Sequence, residues 1–221
     1  MGAQKDPRII KLQDTDTMLQ ILDASGKSAS QFRKGQTMYV WNKMEKSYSY
    51  ILSAPMGKEF DPEFQPELTP DQILRLGAFE GKYLNDCLLE FPMEWFVDAI
   101  ALDKLRPHEP DVNVNCFQSK SRQPLDMWAE NGWLPSSKKA KGQYPPLGDP
   151  EQNPDERGWF QWYCRYYMGR RIPAIDQIQI ARWKAFRRHA GAIKKNCRSG
   201  DVTCRPRQRQ ALLQWAYNPF I

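Results

Sequence analysis

The run Trp159-Phe160-Gln161-Trp162-Tyr163-Cys164-Arg165-Tyr166-Tyr167 constrains this chain more than any other. Wound as an α-helix at about 100° per residue, its rings cover more than half of the circumference and leave Gln161 and Arg165 together on one narrow polar row. A helix with so little polar surface belongs at the centre of a fold, which favours core packing over an exposed platform for stacking bases. It also makes Gln161 and Arg165 site candidates. A guanidinium held against an apolar wall needs a carboxylate, a backbone acceptor or a ligand phosphate, and a plain buried ion pair is the simplest of these.

The surrounding patterns predict a mainly α protein, a compact helical domain with a small β-hairpin element near the N-terminus. Residues 1–60 read as a small mixed α/β region, in which 37–41 and 48–52 are β-prone runs separated by a loop longer than two residues. Residues 61–221 read as the helical core domain. Thr69-Pro70-Asp71-Gln72 is a capping box with proline at the first helical position, and Gly77 is placed to end that helix. Further helices are expected over residues 82–91, from Pro92 through Leu102, between Pro124 and Gly132, and near 158–168, 176–195 and 206–217. Residues 135–154, rich in Lys, Gly and Pro, read as a flexible loop.

Charge is segregated along the chain. The net charge is +6, yet residues 157–209 carry 14 Lys/Arg against two acids, Asp176 and Asp201. Fields of this sign meet phosphate, so nucleic acid is the expected partner, with DNA favoured. On a helix from Asp176, an apolar arc of Ile178, Ala181, Ala185, Phe186, Ala190 and Ile193 encloses Arg182 and His189. Lys184, Arg187, Arg188, Lys194 and Lys195 form the outer row and the natural phosphate track. Arg205, Arg207 and Arg209 flank Pro206 at a helix start, where backbone N–H groups already favour anions.

The acidic candidates lie upstream. Helical spacing puts Lys82, Asp86 and Glu90 on one face, opposite Leu84, Cys87, Leu88 and Phe91, and a carboxylate beside an ammonium can orient an amine or take a proton. Gly77 to Tyr83 is not a P-loop, being one residue short between its glycines and carrying Tyr where Ser/Thr is required. No metal site or hydrolase motif is evident. The start, Met1 to Asp6, has no apolar signal region, and no run approaches 18 apolar residues. An intracellular protein without a membrane span is expected, with reduced thiols at Cys87, Cys116, Cys164, Cys197 and Cys204.

The strings Gly81-Lys82-Tyr83-Leu84-Asn85-Asp86-Cys87, Phe160 to Tyr167 with Gly169-Arg170-Arg171, and Cys204-Arg205-Pro206-Arg207-Gln208-Arg209-Gln210 resemble a family of largely uncharacterised microbial and phage proteins, over roughly residues 69–217. Proteins of this kind are associated with phage DNA-base hypermodification, in which an amino-acid:DNA transferase displaces pyrophosphate from an activated 5-hydroxymethyluracil. The resemblance implies an amino-acid co-substrate and a cytoplasmic setting that includes the infected host. It assigns no catalytic residue, because no motif of that activity aligns.

Two readings stand at this point. In one, a DNA-base transferase uses Lys82 and Asp86 to orient the nucleophile, while Arg165, Arg170, Arg171 and the arginines at 205–209 stabilise a phosphate or pyrophosphate leaving group; Gln161 shares the site. In the other, a non-catalytic nucleic-acid-binding protein uses the same polar residues to tie its helices together.

Overall fold

The computed structural model describes residues 14–106, 109–143 and 147–221. The N-terminal Met1–Asp6 stretch and part of the lysine- and proline-rich loop lie outside them. The fold is mainly helical, with one antiparallel hairpin.

Helix α1 (Thr15–Ser25) starts where the Asp14 side chain accepts the Thr17 amide, and it buries Met18, Ile21 and Leu22. Strands β1 (Thr37–Trp41) and β2 (Lys46–Ile51) pair with Met38 opposite Tyr50 and Val40 opposite Tyr48. Their turn is organised by Asn42, whose Oδ1 accepts the Met44 and Glu45 amides, each at 2.9 Å. Glu45 is thereby carried inward rather than into solvent.

Helix α2 (Pro70–Leu76) has the expected capping box, with Gln72 N on Thr69 Oγ1 at 3.2 Å and Thr69 N on Gln72 Oε1 at 2.9 Å. Gly77 ends it at φ +86°, and a Cβ there would lie 2.1 Å from the Val114 carbonyl oxygen. The helix expected over residues 82–91 does not form. Phe79, Glu80, Gly81 and Leu84 all have positive φ, so the segment is a short 3₁₀ turn (Phe79–Gly81) followed by successive tight turns. The left-handed Glu80 is held by its partners: its amide donates to Asn115 Oδ1 at 2.7 Å, and its buried carboxylate accepts the Ser121 and Arg122 amides.

Helices α3 (Met93–Ala101) and α4 (Leu125–Glu130) follow Pro92 and Pro124 as expected. The stretch read as a flexible loop holds helix α5 (Lys138–Gln143), and Asn153 and Asp155 beyond it are buried. Helix α6 (Trp159–Met168) is the central element, with Trp162, Cys164 and Arg165 wholly inaccessible. Phe64 is set edge-on among its rings, 5.4 Å from Trp162, 5.6 Å from Tyr163 and 5.5 Å from Tyr166. The Trp162 indole N–H donates to Asp176 at 2.8 Å, which anchors α7 (Pro173–Phe186).

The long helix expected over 176–195 is two helices. It breaks at Arg187, whose amide bonds the Lys184 carbonyl, and resumes as α8 (Arg188–Asn196). Ala181 and Ala185 are exposed while Ile175, Gln179, Ile180 and Trp183 are buried, so the expected apolar arc is rotated. Helix α9 (Pro206–Gln214) is tied to α8 by a Cys197–Cys204 disulfide, which corrects the expectation that these two thiols are reduced. The other three cysteines are free.

Candidate functional site

The polar row of α6 ends in a dense buried charge network. Arg165 is fully enclosed; its Nε and Nη2 take the two oxygens of Glu90 at 2.6 and 3.1 Å, and its Nη1 reaches Glu45 at 2.6 Å and Asp155 at 3.0 Å. Gln161 meets the same Glu45, Nε2 to Oε2 at 2.6 Å, and accepts the Arg157 amide on Oε1. Arg170 grips Asp155 with Nη1 and Nη2 at 2.9 and 2.5 Å. Arg157 joins Asp86 at 2.8 Å and Glu45 at 3.4 Å. Four carboxylates thus face three guanidiniums. Burial alone would lower the Arg165 pKa, but Glu90, Glu45 and Asp155 outweigh it and hold that pKa well above its ordinary value.

Gln161 and Arg165 therefore belong together, as their helical spacing predicts, but solvent does not reach them. Their partners Glu45, Asp155 and Arg157 carry no periodic signal and were not among the expected site residues. Asp86 is bonded to Arg157 and to the Lys43 amide at 2.9 Å, not to Lys82. Lys82 instead lies 3.9 Å from the exposed Glu109, because the positive-φ turns abolish the helical face the two were expected to share.

Two adjoining clefts open beside this network. The larger, about 750 Å³, is walled by Trp128, Trp133, Trp159, Phe160, Phe186 and Trp215, with Asp155, Arg157, Gln179, Arg182 and Gln214 as its polar lining. Gly158, at φ +79°, lets Trp128 lie against the backbone, since a Cβ would come within 3.0 Å of that indole. A column of stacked rings runs along it: Tyr163 to Trp159 at 5.3 Å, Trp159 to Trp215 at 4.7 Å and Trp215 to Phe186 at 4.5 Å between centroids. His189 continues the column at 4.4 Å from Phe186. Gln214 Nε2, shut off from solvent, has no hydrogen-bond partner among the described residues. The smaller cleft, about 270 Å³, shares Phe79, Tyr83, Ser121, Trp128 and Arg157 with the larger and adds Lys82, Asn85, Asp86 and Arg122. Lys82 and Asp86 are thus brought to one cavity by a route other than a helix.

The basic residues divide into two sets. Arg170 is inside the network. Arg171 spends its guanidinium on the carbonyls of Tyr166, Arg170, Lys58 and Glu59 and lies 3.9 Å over the Tyr166 ring. Arg209 is wholly buried and donates to the carbonyls of Cys204, Pro219, Ile221 and Asp201, fastening the C-terminal turn. These three guanidiniums are occupied by protein acceptors and are not open to phosphate. Lys184 pairs with Glu63 at 2.7 Å. Arg187, Arg188, Lys194, Lys195 and Arg207 are exposed, and Arg205 is half-buried. They lie on two helices and a helix start rather than on one row.

Among the described residues, no group of three His, Cys, Asp or Glu is arranged to hold a metal ion, and no helix is long and apolar enough to cross a membrane. The arrangement defines a helical protein with a buried ion network beside an aromatic cleft. Comparison with protein-family models, curated proteins and solved structures gives no match.

Proposed function

We propose that this protein acts on nucleic acid, taking one unstacked base into the larger cleft while Arg187, Arg188, Lys194, Lys195, Arg205 and Arg207 hold the adjoining phosphates. The observation that carries the reading is the aromatic wall of that cleft together with the unpartnered Gln214 Nε2. The ring surface open to a base is that of Trp128 and Trp133, since Tyr163, Phe186 and each other already cover Trp159 and Trp215, and a buried amide donor without an acceptor suits a base carbonyl. The ring column leads from this cleft to His189, the sequence neighbour of the exposed Arg188, which gives the strand a path from the cleft toward the basic residues of α8.

The reaction we favour is transfer onto an activated thymine derivative with loss of phosphate or pyrophosphate, with an amino acid as co-substrate. Asp86 and Lys82 would meet the nucleophile in the smaller cleft, next to the base. Arg165 and Gln161 enter this scheme only as positioning residues, because they hold Glu45 and through it Arg157. Their complete enclosure is also what favours the second reading, a non-catalytic nucleic-acid-binding protein whose ion network is purely structural.

The test is titration of the protein with a single-stranded thymidine oligomer and with a duplex, followed by tryptophan fluorescence, in wild type, Gln214→Leu and Trp133→Ala, Trp133 being the exposed ring of the cleft. Tighter binding of the single strand, weakened in both variants, supports the base site. Unchanged affinity in both variants removes the cleft from the interface. Mass analysis of nucleosides from DNA made with and without the protein separates transferase from binder.

A further inference from the structure

The smaller cleft contains a cation that no carboxylate of the described residues contacts directly. Arg122 is half-buried, no carboxylate lies within 4 Å of its guanidinium among the described residues, and its Nη1 is shut off from solvent without a hydrogen-bond partner. Its backbone is fixed, since the Arg122 amide donates to the buried Glu80 carboxylate at 3.2 Å, so the side chain cannot simply leave with its loop. A guanidinium withdrawn from water without a contacting carboxylate is costly: burial lowers the Arg122 pKa, and the more distant Glu80 and Glu109 charges offset this only in part. Arg157, on the same wall, is already taken by Asp86 and Glu45, whereas Lys82 has only the fully exposed Glu109 at 3.9 Å. Two cations in this cleft therefore await an anion. The opposite need is present as well: Asn85 Oδ1, an acceptor lining the same cavity, is buried without a donor.

We infer that the cleft between Lys82, Asn85 and Arg122 binds a small oxyanion that also carries an O–H or N–H donor. The oxyanion lies on Arg122 and Lys82, and its donor end faces Asn85 Oδ1 and Asp86. Carboxylate and phosphate share this chemistry, and the cavity of about 270 Å³ limits the ligand to a compact molecule. The Tyr83 and Trp128 rings form its apolar walls, and because both also line the larger cleft, the ligand sits beside whatever that cleft holds. The inference rests on Arg122, Lys82 and Asn85 and stands whether or not a base enters the larger cleft.

Calorimetric titration of the full chain with glycolate and, separately, with inorganic phosphate tests it. Saturable one-site binding of either is expected, weakened about tenfold or more in Arg122→Gln, as loss of a charge-assisted hydrogen bond requires. Binding of glycolate alone identifies a carboxylate ligand, and binding of phosphate alone a phosphate one. Lys82→Gln, at a side chain with one distant partner, serves as a second variant should Arg122→Gln not fold. No saturable binding of either anion, or affinity equal to wild type in the folded variants, overturns the assignment. Because these ligands contain no base, their failure leaves the oligonucleotide result untouched, and the reverse also holds.

Discussion

Arg165 and Arg170 share one carboxylate: Asp155 Oδ1 accepts from Arg165 Nη1 at 3.0 Å and from Arg170 Nη1 at 2.9 Å, while its Oδ2 accepts from Arg170 Nη2. Two like charges are held side by side only because Glu45 and Glu90 take the remaining donors of Arg165. Removing Arg165 leaves the buried Glu90 with no cation and only the Tyr50 hydroxyl among the described residues, and it takes one partner each from the buried Glu45 and Asp155. Arg165→Met is expected to lower stability by about 3–5 kcal/mol in chemical denaturation. Arg165→Lys should recover little of it, because an ammonium cannot reproduce the bidentate contact with Glu90.

Asp86 separates the two functional readings. Asp86→Asn keeps the volume but weakens the bond to Arg157, so a loss of about 1–3 kcal/mol is expected even if the residue has no part in chemistry. A transferase should then lose its modified nucleoside while the melted fraction at working temperature stays negligible. Normal product formation by the folded variant would exclude Asp86 from the reaction.

The exposed basic residues predict salt-sensitive binding. With about four phosphates contacted, log K should fall against log salt with a slope of about −3 to −4. Arg188→Gln combined with Lys195→Gln should flatten it by roughly two, since both side chains are exposed. An unchanged slope would move the interface elsewhere.

His189 gives the pH signature. Burial against Phe186, and then the neighbouring Arg188 charge, lower its pKa below the ordinary 6.5. The unfolded chain therefore takes up this proton first as pH falls. The stability it contributes is present above about pH 6.5 and is lost as pH drops through the lower folded value. His189→Gln should show a shallower loss of stability below neutrality, and NMR titration of the imidazole should move upward when phosphate docks beside Arg188.

The Cys197–Cys204 link closes a loop of seven residues between α8 and α9. By loop-closure entropy its reduction should cost roughly 2 kcal/mol. Melting with and without a thiol reductant measures this, and Cys197→Ser should match the reduced protein.

The sequence carried the helices whose caps and periods are local. Thr69 to Gln72, Pro92 and Pro124 mark true helix starts, and the hairpin lies where the β-prone runs place it. The polar row of Gln161 and Arg165 was legible for the same reason, being set by helical period alone. Residues 82–91 misled because Lys82, Asp86 and Glu90 keep helical spacing while the preceding backbone is left-handed at Phe79, Glu80 and Leu84. Glu80 is held in that region by tertiary bonds with Asn115, Ser121 and Arg122, which no local pattern announces. Glu45 was invisible for a related reason: it sits on a turn, 116 residues from Gln161 and 120 from Arg165. Arg171 and Arg209 read as phosphate ligands because charge is visible in sequence and carbonyl acceptors are not.

Those separations also set an order of events. Arg165 and Arg170 reach Asp155 over only 10 and 15 residues, but Glu45 comes from the hairpin and Glu90 from the turns before α3, so the Glu45 and Glu90 pairs with Arg165 need most of the chain assembled. Contacts that form this late act on the escape rate from the native state more than on the rate of reaching it. The ion network should thus behave as a kinetic latch: weakening it shortens the lifetime of the folded protein while leaving its refolding speed nearly unchanged.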